Sequence, residues 1–255
     1  MKRIVVKVGS AVLTENDGVA LKRMRNLVDL ICEVSNRYEV VLVSSGAVAA
    51  GYTRLQLDRS ILQNKQALAS IGQPHLIELY SRKFATCDKL CSQVLVTAAN
   101  FHSKAQADRI KSTVDTLIAN GIVPIVNEND VTATDELVVG DNDQLSAYTA
   151  DAVDAEMLLI LSDIDAYYDH DPRKHSDAKI LKEVSSISDE ELSREATPHG
   201  TFATGGIVTK LKAADYMLKH GRSMFLGSGF DLSDARAYLL EERHEGGTLF
   251  TTEVE

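Results

Sequence analysis

The apolar positions of this chain fall into short unbroken runs, alternating with longer stretches whose apolar residues recur at helical spacing. Residues 3–8 (RIVVKV) and 39–44 (EVVLVS) read as strands. Between them Leu21, Met24, Leu27, Val28, Ile31 and Val34 line one face of a helix over 20–37. Strand, helix and strand in this order predict a βαβ unit with a right-handed crossover. Helices are predicted at 60–71 and 75–88, with Gly72-Gln73-Pro74 as the break between them. A helix over 104–119 turns Ile110, Val114, Leu117 and Ile118 inward, and others follow at 142–152 and 233–242. Further strands are expected at 93–97, 122–126, 157–161, 223–227 and 247–251. Ser188 to Glu191 form a capping box for a short helix, and Gly221 ends a helix that opens at Thr204-Gly205-Gly206. Strands that lack alternation are buried on both faces, so the pattern predicts a doubly wound α/β sheet.

At 255 residues the chain is long enough for one large core, and no repeat or long linker divides it. It reads as one domain, 1–255, with two functional halves meeting near residue 155. With 27 Lys and Arg against 37 Asp and Glu, the formal net charge of −10 disfavours nucleic acid or an anionic membrane as partner. Cys32, Cys87 and Cys91 cannot all pair and show no CxxC spacing, so reduced thiols in a cytosol are expected, with Cys32 in a core. The apolar start IVVKVG is too short for a signal peptide and carries Lys7, and no run approaches a membrane span.

Candidate chemistry gathers at the carboxyl ends of the predicted strands, where ligands bind in an open α/β sheet. The strand from Ile122 runs out into Asn127, Glu128, Asn129 and Asp130; after an excursion the chain returns at Gly140-Asp141-Asn142-Asp143, near a helix start. Capping explains one acidic residue there. Two Asn-Asp clusters suit a ligand with an ammonium group, or a site that holds lysines. Lys7, followed at once by Gly9 and Ser10, is costly inside a doubly buried strand unless it emerges at an open mouth; an edge strand facing water is the other reading. Ser44-Ser45-Gly46-Ala47 offers backbone N–H groups to an anion, or is simply a closely packed helix start. Ser162-Asp163 ends the most apolar strand, and Tyr167 and Tyr168 follow in an excursion where they could flank a planar ring or be ordinary turn residues. Thr204-Gly205-Gly206 with Lys210 supplies the glycine, hydroxyl and lysine of a phosphate-binding helix start. Neither GxxxxGK[ST] nor a complete GxGxxG occurs, since GSGFDL at 227–232 lacks the third glycine. Lys7 and Lys210 could together neutralise a transferring phosphoryl group. An anionic Asp143 between them would keep both protonated, while Asp141 faces a substrate.

Taken together, IVVKVGSAVLT, VLVSSGAVAAG, IVPIVNENDV, VGDNDQLSA, SDIDAYYDHDP and ATGGIVTKLKAAD occur in an order and spacing that resembles the glutamate 5-kinases of the amino acid kinase family. The resemblance runs over essentially the whole chain. It implies a three-layer αβα sandwich with a mostly parallel open sheet, ATP with Mg²⁺, and phosphorylation of the L-glutamate γ-carboxylate at the start of proline synthesis. By matched position it implies that Lys7 and Gly9 meet ATP phosphate, and that Ser45, Asn127, Asp130, Asp141 and Asn142 hold glutamate. It likewise implies that Ser162, Asp163 and the loop Thr204, Gly205, Gly206, Ile207, Val208, Thr209 and Lys210 line the nucleotide, with Asp143 as organiser. No residue is assigned to a metal. A cytoplasmic homo-oligomer is expected, with proline a candidate feedback inhibitor. Two glycines usual on the nucleotide side are Ala166 and Ala203 here, and the short form without a C-terminal PUA domain is expected.

Overall fold

Strand β1 (Lys2–Val8) takes the middle of the fold because every residue from Ile4 to Val8 is buried, on both faces of the sheet. In this computed structural model, which describes residues 1–133, 142–193 and 206–252, it is flanked in parallel by β4 (Tyr38–Val43) and β7 (Met157–Ser162). A two-stranded hairpin, β2 (Thr14–Glu15) and β3 (Gly18–Val19), stands apart. The remaining strands are β5 (Leu90–Val96), β6 (Ile122–Glu128), β8 (Glu183–Val184), β9 (Ser223–Ser228) and β10 (Thr248–Phe250). The eight-stranded sheet has the order β5-β6-β4-β1-β7-β9-β10-β8, parallel throughout except where β10 pairs antiparallel with β9.

Ten helices connect the described strands: α1 (Ser10–Leu13), α2 (Leu21–Val34), α3 (Ala47–Tyr52), α4 (Leu62–Phe84), α5 (Ala98–Phe101), α6 (Lys104–Ala119), α7 (Asn142–Ala152), α8 (Asp189–Ser193), α9 (Gly206–Lys219) and α10 (Ser233–Glu241). They form the outer layers of an αβα sandwich. On one face Ile4, Val6 and Val8 of β1 pack with Met24 and Ile31 of α2, Leu76 and Tyr80 of α4, and Leu239 of α10. On the other, Val5 packs with Val114 of α6, Leu145 and Ala147 of α7, and Leu211 and Met217 of α9. Among the described residues no helix is long and apolar enough to cross a membrane.

Several expectations need correction. Gly72-Gln73-Pro74 does not break a helix: α4 runs through it as 23 residues, with Pro74 inside. The glycine is there for packing, since a Cβ on Gly72 would lie 1.7 Å from the carbonyl oxygen of Ala47 on α3. Leu21 opens α2 but is 51% exposed, outside the buried face that begins with Met24. In α6 Val114 is buried and Ile110 and Ile118 pack against the core as expected, whereas Leu117 is half-buried outside it. Tyr167 is a core residue stacked on Phe250 at 6.2 Å, with its hydroxyl on Glu191, so it does not face a ligand ring. Cys32 is half-buried against the core, beside Cys87.

Candidate active site

The alternation of β1 explains its lysine. Side chains two apart share a face, so Lys7 follows Val5 toward α7 and α9 rather than facing water. There its ammonium meets Asp143 Oδ1, the second residue of α7. Lys210 Nζ reaches Asp143 Oδ2 from α9 at 3.0 Å, and Thr209 Oγ1 donates to the same oxygen at 3.0 Å. Lys210 also donates to the carbonyl of Gly206 at 3.0 Å, which ties it to the first turn of its own helix. Asp143 is fully buried, with Lys7 and Lys210 almost so. Water therefore does little to screen the three charges, and breaking such a group by removing one partner typically costs about 3–5 kcal/mol.

Asn142, one residue earlier, turns the other way. Its Nδ2 donates to the carbonyl of Ser44 at 2.6 Å, to Asn127 Oδ1 at 3.1 Å and to Ser45 Oγ at 3.3 Å. One amide thus joins the ends of β4 and β6 to the start of α7. The turn after β4 needs its glycine: Gly46 has φ 97°, a left-handed conformation that residues with a Cβ adopt reluctantly. Ser44 is held from below by Tyr80, whose buried hydroxyl lies 2.9 Å from Ser44 Oγ. Gln73, buried on α4, donates to the Glu128 carbonyl at 3.1 Å and accepts from Asn127 at 3.3 Å and from Gln93 at 3.0 Å.

Ser45, Gly46, Asn127 and Asn142 border a cavity of about 360 Å³, a volume suited to a small metabolite. Ser45, Asn127, Asp130 and Asn142 all line it, as expected for them, and so does Glu128 of the same strand-end cluster; Arg59, Lys65 and Gln66 line it too, which sequence reasoning had not placed there. Gln73 carries no site signal in the sequence, where it reads as part of a helix break. Burial holds the carboxyls of Asp130 and Glu128 above the usual carboxylate range, relieved at Asp130 by hydrogen bonds that include Gln73 and aggravated at Glu128 by the Asp130 charge. Two half-buried carboxylates in that state favour a cationic ligand group.

On the far side of Lys7, Gly9 donates its N–H to the Leu161 carbonyl at 2.9 Å, which brings the β1 exit against Ser162 at the end of β7. Ser162 Oγ donates to Asp163 Oδ1 at 2.8 Å, and Asp163 is exposed at the mouth. Within the expected nucleotide loop, Ile207 points into the core and Val208 packs against it, so any contact from these two with a ligand falls to their backbone. Ala166 is buried. Asp141, Ala203, Thr204 and Gly205 lie outside the described residues.

Residues 2–228 match the model of the amino acid kinase family. The chain belongs to the amino acid kinase family. Within it, the chain is 51% identical to the glutamate 5-kinase of Wolinella succinogenes over 98% of both proteins. It is 48% identical to the glutamate 5-kinase of Leishmania donovani, covering 100% of this chain and 97% of that protein. Among solved structures, the carbamate kinase of Giardia lamblia bound to AMP-PNP superimposes with a TM-score of 0.67 at 17% identity, covering 98% of each chain. That likeness establishes the amino acid kinase fold and agrees with the mostly parallel sheet described above.

Proposed function

We propose that this chain transfers the γ-phosphoryl group of ATP to the γ-carboxylate of L-glutamate, giving L-glutamyl 5-phosphate, the first step of proline biosynthesis. The observation that carries the proposal is Asp143, held between Lys7 and Lys210 and joined through Asn142 to a cavity with two acidic residues. The residues up to about 155 would bind glutamate and the rest the nucleotide.

The chemical obstacle is the approach of one anion to another. Two preorganised ammonium groups on the transferring phosphoryl oxygens lower that barrier, and losing one such donor typically costs about 10²–10³ in rate. Asp143 sits between the two lysines and aims them, and its charge offsets their mutual repulsion. Ser45 and Asn142 orient the acceptor carboxylate, while Asp130 and Glu128 take the α-ammonium. Backbone around Gly9 and the start of α9 lets phosphate approach closely. The product is an acyl phosphate prone to hydrolysis, so a site that excludes water is useful.

The family implies Mg²⁺ with ATP, and the donor set fits an ion that arrives on the phosphates, since such an ion needs only one or two carboxylates. Among the described residues no group of three His, Cys, Asp or Glu would cage a metal. Both oxygens of Asp143 face ammonium groups, and exposed Asp163 at the end of β7 would supply a carboxylate to the ion. Bound there, Mg²⁺ supplies further charge neutralisation. L-proline, with an α-carboxylate and an ammonium of its own, suits the glutamate cavity as an inhibitor, and a cytoplasmic oligomer completes the proposal.

Coupled ADP release with L-glutamate against N-acetyl-L-glutamate tests the reading. Turnover with the free amino acid is expected, and little with the acylated one, which lacks the ammonium. Equal or preferred use of N-acetyl-L-glutamate would overturn it.

A further inference from the structure

The cavity is not uniformly acidic. Glu128 and Asp130 line it together with two cations, Arg59 and Lys65. Arg59 is already engaged: its guanidinium lies 2.8 Å from Asp17 and 4.2 Å from the centre of the Tyr52 ring. Lys65 differs. The positions three and four away on its helix, Ile61, Leu62, Leu68 and Ala69, are apolar, so no carboxylate neighbours it along α4. No ion pair ties it to any other described residue.

The Lys65 side chain is exposed, and the position of the helix that carries it is fixed by backbone packing. A Cβ on Gly51 would meet the Leu68 carbonyl oxygen at 1.9 Å, and one on Gly72 the Ala47 oxygen at 1.7 Å. Helices α3 and α4 therefore touch through bare backbone at two levels, which sets the first turns of α4 beside Ser45 to Ala49. The Lys65 backbone N–H closes that turn onto the Ile61 carbonyl at 3.1 Å.

We propose that Lys65 recognises the α-carboxylate of the amino-acid substrate and sets the preference for an α-amino acid over a simple ω-amino acid. The assignment rests on the glutamate reading above. The γ-carboxylate must lie at the Asn142 end, since the next residue, Asp143, holds the two lysines. That leaves the α-carbon toward the outer part of the cavity. Its ammonium goes to Asp130 and Glu128, and its carboxylate needs a cation that is not spoken for.

The test uses 4-aminobutyrate, which is glutamate without the α-carboxylate. KM for L-glutamate and the inhibition constant of 4-aminobutyrate against it are measured for the wild type, Lys65→Gln and Lys65→Arg. Lys65→Gln should raise the glutamate KM about 10- to 100-fold, the usual range for a lost hydrogen bond to a charged group. The 4-aminobutyrate constant should stay within about 2-fold, because that ligand has nothing for Lys65 to bind. Lys65→Arg should restore most of the glutamate affinity. Equal weakening of both ligands, or an unchanged glutamate KM, would overturn the assignment while leaving the function intact. A wild-type enzyme that binds ATP yet never turns over glutamate would overturn the function and this assignment together.

Discussion

Lys7 and Lys210, 203 positions apart in sequence, are held by the two oxygens of one carboxylate. Asp143 stands between them, fully buried, with the Thr209 hydroxyl on the oxygen it shares with Lys210. The arrangement joins the central strand to helices on one face of the sheet, so three separate elements must fold before it exists. In the proposed reaction it does two jobs, supplying positive charge to the phosphoryl group and fixing where that charge sits.

Replacing either lysine should therefore act on kcat. Lys7→Ala and Lys210→Ala are each expected to lower it about 10²–10³-fold, with a near-native circular dichroism spectrum. Lys7→Arg should fail similarly, because a planar fork does not replace a compact ammonium in a closed space. Near-normal turnover in either alanine variant would remove that lysine from the mechanism.

Asp143→Asn tests the organiser role. The variant leaves two buried ammonium groups with a neutral amide between them, so kcat should fall at least about 10²-fold while the KM for glutamate changes little. Unfolding should also move, with a Tm drop on the order of 10 °C, from the cost of breaking a buried ion pair. Calorimetry and steady-state kinetics on one preparation read both. A variant that binds glutamate weakly but turns over normally at saturation would place Asp143 in the substrate site instead.

Asp130 should behave in the opposite way. Asp130→Asn is expected to raise the glutamate KM about 10- to 100-fold with a smaller effect on kcat, since the ammonium contact exists in ground and transition states alike. Burial raises the pKa of Asp130 and Glu128 in the folded protein. In the free protein their effect on stability is thus most favourable below the ordinary carboxylate range and is lost as pH rises through the raised values. Asp130→Asn should accordingly raise the Tm of the ligand-free protein at neutral pH. For substrate, the ionised forms bind the ammonium, so kcat/KM for glutamate should fall as pH drops through the same raised values. That acid limb should flatten in the variant. A limb unchanged by the substitution would assign the titration to another group.

Gly72→Ala probes the contact that places α4. The added Cβ has no room against the Ala47 carbonyl, and overpacking of this kind costs about 1–3 kcal/mol or more. A lower Tm together with a raised glutamate KM is expected, since α3 and α4 both line the cavity. Unchanged values of both would mean that the two helices separate without consequence.

Much of this is legible in the amino-acid sequence. Strand and helix order followed from apolar spacing, and α7 begins and ends where the pattern placed it, Asn142–Ala152. Lys7 was visible as an anomaly, but whether it faced water or a site depended on β1 lying between β4 and β7, which no local pattern states. Gly72-Gln73-Pro74 carries the usual marks of a turn; the helix continues because packing against α3 outweighs local preference. Leu21 and Tyr167 show the same limit, one exposed and one buried for tertiary reasons. The hairpin β2–β3 has its signature in Asn16-Asp17, both at positive φ (47° and 61°) before Gly18, and sequence reasoning passed over it. Arg59 and Lys65 were hidden differently: nothing in a charged residue at a helix start distinguishes a cavity wall from a solvated surface.

The central claim is that the chain makes an acyl phosphate on glutamate, and hydroxylamine traps such a product directly. With ATP, Mg²⁺, L-glutamate and hydroxylamine, the wild type should form γ-glutamyl hydroxamate in step with ADP, and Asp143→Asn should form almost none. ADP release without hydroxamate, or no glutamate-dependent ADP at all, would contradict the account.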